Sequence, residues 1–68
     1  MKQRRANIFG LGLIGGSLAA ALTARGWHVT GNDVRSETEE EALALGLIAA
    51  LGIDADAEVS FVATPVSS

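Results

Sequence analysis

Four glycines fall within the seven residues Gly10 to Gly16 of "NIFGLGLIGGSLAAALTARG", and no charged residue occurs between Arg5 and Arg25. A run of this kind has three physical solutions: a membrane-embedded helix, a cleaved secretory leader, or a strand that turns abruptly into a helix. "MKQRR" ahead of nineteen uncharged residues imitates the basic and apolar regions of a leader. Gly12 and Gly16 also have the GxxxG spacing of packed membrane helices. Against both, each glycine would weaken such a helix by about 1 kcal/mol relative to alanine, and Asn7 and Ser17 add polarity. The nineteen residues barely reach the roughly 20 needed to cross a bilayer. Leu22 is also a poor fit to the small-residue cleavage position of a leader.

The third solution uses every glycine. Ala6 to Leu11 reads as a buried strand, and Gly15 onward as a helix in which Ile14, Leu18 and Leu22 recur at i, i+4, i+8. Between them lies Gly10-x-Gly12-x-x-Gly15. The first glycine permits the tight turn, the second lets a pyrophosphate approach the backbone, and the third lets helix and strand pack closely. The N–H groups of Leu13, Ile14 and Gly15 would then be the anion donors, aided by the positive end of the helix dipole. Ser17 either adds a hydroxyl or bonds its own backbone.

A lone GxGxxG is weak, so its surroundings decide. Arg25 and Gly26 close the helix. Trp27 to Asn32 reads as a second strand ending at Asp33, eighteen residues after Gly15, where a dinucleotide fold places the carboxylate that binds the adenosine ribose. Its alternative is a turn or cap residue. Ser36 and Glu39 have the spacing of a capping box, Gly46 ends the second helix, and Glu37, Glu39, Glu40 and Glu41 read as a solvated face without chemistry. Arg35 either reaches adenine or a 2′-phosphate, or is a surface charge. Asp33 favours NAD, with NADP less favoured, because a carboxylate repels a 2′-phosphate.

A short strand near Ala49 to Leu51, a polar loop through Glu58 and a strand Val59 to Thr64 follow, with no room for a further crossover helix. The expected fold is α/β: a partial Rossmann fold, the βαβαβ half, with a parallel sheet and flanking helices. The strand order is second, first, last, with the short strand outside the second. Right-handed connections place the Gly10 turn and Thr64 at one carboxyl edge, with Thr64 towards the nicotinamide side.

"GLGLIGGSLA", "ARGWHVTGND" and "FVATPV" together resemble the N-terminal part of the prephenate dehydrogenase family, which includes arogenate dehydrogenases; the similarity runs from Ala6 to Val66. The resemblance implies an NAD(P)-dependent oxidative decarboxylation of prephenate to 4-hydroxyphenylpyruvate in tyrosine biosynthesis, in a cytoplasmic enzyme that is a homodimer at full length. It also implies that the catalytic histidine, the substrate arginines and a helical dimerisation domain lie farther along. Residues 1–68 thus read as the first part of the cofactor-binding domain. The only histidine, His28, opens the second strand, at the edge away from the turn.

Composition agrees with this. A chain of 68 residues, 49% hydrophobic and 19% charged, has the make-up of an α/β domain and about half its length. No cysteine is present for thiolate or disulfide chemistry, and a net charge of −3 gives no basic patch for nucleic acid. So short a chain is expected to leave a sheet edge and one sheet face uncovered, and to be marginally folded or self-associating. Two other readings share the glycine turn: a non-catalytic nucleotide-binding or sensor module, and an S-adenosylmethionine domain. The complete glycine set disfavours the second.

Overall fold

The computed structural model describes residues 3–63. Its elements are β1 (Arg5–Phe9), α1 (Leu13–Ala24), β2 (His28–Asn32), α2 (Ser36–Ala44), β3 (Ala50–Leu51) and β4 (Val59–Val62). All strand pairs are parallel and the order is β3-β2-β1-β4, as expected from the sequence. The long uncharged run is therefore a strand, a turn and a helix, and among the described residues no helix is long and apolar enough to cross a membrane.

Both helices stop at glycine for a geometric reason. Gly26 takes φ +85° and Gly46 φ +74°, the left-handed conformation that L side chains resist. At the first, Gly26 N–H donates to the Thr23 carbonyl at 3.0 Å and Trp27 N–H to the Leu22 carbonyl at 3.1 Å. At the second, Gly46 N–H donates to Leu43 at 3.1 Å and Leu47 N–H to Ala42 at 3.0 Å. Each set is a Schellman closure, which satisfies carbonyls the helix leaves open and delivers an apolar residue, Trp27 or Leu47, to the core.

The two sheet faces differ because strand side chains alternate. Ala6 and Ile8 of β1 pair with Val29 and Gly31 of β2 and with Val59 and Phe61 of β4, forming the apolar face. Ile8, Val29, Leu11, Ala19, Ala42 and Ile48 are its buried centre. The inward surface of α1 is Gly15, Gly16 and Ala19, with Leu18 and Leu22 only partly buried. Ile14 does not continue that stripe: it is 75% exposed. Small residues bring α1 close to the sheet, so the apolar stripe read at i, i+4, i+8 is displaced from the contact line. Gly31 serves the same close packing, since a Cβ there would lie 2.9 Å from Leu11 Cδ2 and 3.0 Å from Ile48 Cγ2.

The opposite face, expected to stand uncovered, is crossed by the connection from β3 to β4. Buried Asn7 accepts a hydrogen bond from Asp54 N–H (2.7 Å), and its Nδ2 donates to the Asp54 carbonyl (3.0 Å). Asn32 Nδ2 donates to the Gly52 carbonyl (3.0 Å), and Arg5 Nε to Asp54 Oδ2 (2.7 Å). At the amino edge Arg4 grips Glu58 through two bonds (3.0 and 2.9 Å) and lies over the Trp27 ring at 4.4 Å. A polar crossover thus stands where a helix would otherwise pack. Asn7→Ala should leave the Asp54 N–H unpaired and its carbonyl with the Ala57 N–H alone, at a cost of about 1–3 kcal/mol. A thermal melt should fall by at least about 5 °C; an unchanged melt would show that the crossover does not depend on Asn7.

Candidate functional site at the carboxyl edge

The loop between β1 and α1 is held from below. Gly10 takes φ +97°, and its N–H donates to the Asn32 carbonyl at 2.8 Å, which fastens the turn to the end of β2. A Cβ on Gly15 would lie 1.7 Å from the Gly10 carbonyl oxygen, 2.8 Å from its carbon and 3.3 Å from Ala63 Cβ. The first turn of α1 can therefore sit directly against the loop only with glycine there. Gly12, the N-cap, is different: it is exposed at φ −70°, and a Cβ would meet nothing within 4 Å. The space above Gly12 is left open by the protein itself.

The helix begins at Leu13, two residues earlier than its sequence pattern indicates, and its first bond runs from Gly16 N–H to the Gly12 carbonyl at 2.7 Å. The N–H groups of Leu13, Ile14 and Gly15 precede that bond, and no capping side chain takes them. The Leu13 and Ile14 side chains are 89% and 75% exposed. Ser17 is exposed, and its hydroxyl donates to the Leu13 carbonyl of its own helix at 2.9 Å, which agrees with the reading in which it bonds its own backbone.

Asp33 joins three elements. Oδ2 accepts the Leu11 N–H at 2.7 Å, Oδ1 accepts the Arg35 N–H at 3.0 Å, and the Asp33 N–H donates to Glu39 Oε2 at 3.0 Å. The Arg35 and Leu11 N–H bonds hold its carboxyl below the ordinary aspartate range, with the Arg35 charge adding a smaller effect. Each oxygen has used one acceptor direction, so the carboxylate retains lone pairs for a further donor. The capping box placed at Ser36 and Glu39 is corrected: Arg35 is the N-cap of α2, no side chain caps it, and Glu39 reaches back to Asp33 instead. The Asp33 side chain turns the chain by accepting the N–H of Arg35, the N-cap two residues on, which brings the Asp33 N–H within reach of Glu39.

Gly10, Gly12, Leu13, Ile14, Gly15, Asp33 and Arg35 thus gather at the carboxyl edge of β1 and β2, with Arg35 exposed at its rim. Thr64 lies outside the described residues. Ala63 brings the chain to this edge, its N–H donating to the Phe9 carbonyl at 2.8 Å. His28 pairs with Arg5 at the opposite edge. The sequence offers Glu39 only as the partner of Ser36 in a capping box and as part of a solvated acidic face, and gives no sign of its bond to Asp33 or of the Leu11 N–H contact. Among the described residues no His, Asp and Glu cluster could hold a metal ion.

The carboxylates carry a pH dependence. Asp33 is lowered as above, Asp54 by its bond to Arg5 and then by the Asp56 N–H, and Glu58 by its bond to Arg4. Carboxyls lowered in the folded state stabilise it above their unfolded values of about 4, and that contribution is lost as pH falls through the lower folded values. Melts followed by circular dichroism should change little above about pH 5 and drop below about pH 4; a melt that rises on acidification would contradict these contacts.

No family model matches the chain, and no curated protein matches it. Among solved structures, arogenate dehydrogenase from Synechocystis superposes with a TM-score of 0.83 over 90% of this chain, at 35% sequence identity. The resemblance to the prephenate and arogenate dehydrogenases is borne out. The chain spans 23% of that arogenate dehydrogenase's length. The dehydrogenase comparison and the parallel sheet together establish the α/β, partial Rossmann-like architecture.

Proposed function

We propose that the chain is the dinucleotide-binding segment of a prephenate or arogenate dehydrogenase. The observation that carries this reading is the open space at Gly12, above unbonded first-turn N–H groups and beside the Asp33 carboxylate. A cofactor pyrophosphate fits there because backbone donors and the helix dipole favour an anion and no Cβ intrudes. Asp33 would hold the adenosine ribose, Arg35 would border it, and Thr64 would lie towards the nicotinamide. NAD is favoured over NADP because the Asp33 carboxylate opposes a 2′-phosphate. When bound, the nicotinamide supplies the hydride acceptor for oxidative decarboxylation of prephenate, or of arogenate, in tyrosine biosynthesis.

In this reading the full-length enzyme is a cytoplasmic homodimer, and residues 1–68 hold cofactor without completing the reaction. His28, the chain's one histidine, is at the wrong sheet edge to act as base on a substrate beside the nicotinamide. Prephenate turnover by the isolated chain should equal the no-protein control. Measurable NADH formation would overturn that part.

Asp33→Ser tests the coenzyme assignment while leaving a hydroxyl that can accept the Arg35 N–H. Loss of a charge-assisted bond to ribose should lower NAD affinity by about 10- to 100-fold, while NADP affinity holds or rises. Equal loss for both cofactors in a titration would make Asp33 purely structural.

A further inference from the structure

We propose that Glu39 is a positioning residue for the ribose site, holding Asp33 in the conformation that joins the glycine loop to β2. This rests on the dinucleotide-binding reading above. The Asp33 N–H donates to Glu39 Oε2 at 3.0 Å, while the Asp33 side chain accepts from Leu11 N–H at 2.7 Å and Arg35 N–H at 3.0 Å. The peptide that carries the ribose acid is thus fixed at its own nitrogen by the first turns of α2, and its carboxylate is fixed at both oxygens. Of these three bonds, the one to Glu39 is the only one made by a side chain from another residue. It is also half-buried, unlike Glu37, Glu40 and Glu41, which are exposed. Glu39 further adds a second negative charge close to the Asp33 peptide, which strengthens the bias against a 2′-phosphate.

Two substitutions separate the bond from the charge. Glu39→Gln keeps an amide oxygen able to accept the Asp33 N–H, whereas Glu39→Ala removes bond and charge together. The 68-residue chain and both variants are titrated with NAD and with NADP, and amide exchange at Leu11 and Asp33 is followed by NMR without nucleotide. In Glu39→Ala, exchange at both amides should quicken, NAD affinity should fall by about fivefold, and the NADP-to-NAD affinity ratio should rise severalfold. Glu39→Gln should keep the exchange slow and NAD affinity within about twofold.

A general loss of α2 stability would instead lower the melt and reduce both affinities by the same factor, leaving the ratio fixed; that result overturns the proposal. So does unchanged amide exchange in Glu39→Ala. If the unaltered chain binds neither nucleotide, the dinucleotide reading fails and the proposal with it. Binding that is intact and indifferent to Glu39 removes only the proposal.

Discussion

Gly15→Ala is expected to remove a large part, half or more, of the stability of the chain. The added Cβ would lie 1.7 Å from the Gly10 carbonyl oxygen and 2.8 Å from its carbon, both backbone atoms that cannot rotate away. Gly10 cannot yield easily, because its N–H is bonded to the Asn32 carbonyl and its φ is +97°. Relief requires lifting α1 from the sheet, which would open the contacts of Gly16 and Ala19. Overpacking of this kind costs about 1–3 kcal/mol and occasionally more. A chain of 68 residues has only about 3–10 kcal/mol in total. Urea denaturation should show the midpoint reduced by half or more. A midpoint within experimental error of the unaltered chain would mean that helix and loop are not in the contact described.

Gly12→Val should do the reverse, sparing the fold and removing the ligand. Its backbone is at φ −70°, open to any residue, and a Cβ meets nothing within 4 Å. The melt should stay within a few degrees. Yet the isopropyl group would fill the space through which a pyrophosphate must approach the first-turn N–H groups of α1. Binding of NAD and NADP should be lost together, since the two share that pyrophosphate. Retention of either cofactor at comparable affinity would place the nucleotide elsewhere. Two glycines three residues apart thus answer different questions, one about packing and one about access.

Much of this arrangement was legible because glycine and proximity in sequence carry it. Gly10, Gly26 and Gly46 each occupy a positive-φ position that the turn or helix end requires, and a helix stop is a local event. The short β3 was also readable, because the strand order follows from connection length and handedness. What escaped notice depends on partners far away in the chain. In the sequence Asn7 counts only as polarity against a membrane helix, and its partner Asp54 stands 47 residues later. Gly31 looked like an ordinary strand residue until Leu11 and Ile48 were seen above it.

Ile14 departs from its apolar stripe for a related reason. Hydrophobic periodicity assumes that large residues make the contact, whereas α1 presents glycine and alanine to the sheet. At the site, the glycine loop and Asp33 were readable as a pair, but the bonds between them were not. The Leu11 N–H to Asp33 contact makes the ribose acid part of the loop's own support. Turn and ligand-binding roles do not exclude each other at Asp33. The turn bond to the Arg35 N–H and the bond to the Leu11 N–H take one acceptor direction on each oxygen, which leaves the other free.

Titration of the isotopically labelled chain with NAD, read residue by residue in amide NMR spectra, bears on the whole proposal at once. Saturable shifts should concentrate at Gly10 to Gly15 and at Asp33 to Arg35, with those of the amino edge, around Arg4, Trp27 and Glu58, unmoved. No saturable shift at the glycine loop, or shifts centred on the amino edge, would contradict a dinucleotide site at the carboxyl end of this sheet.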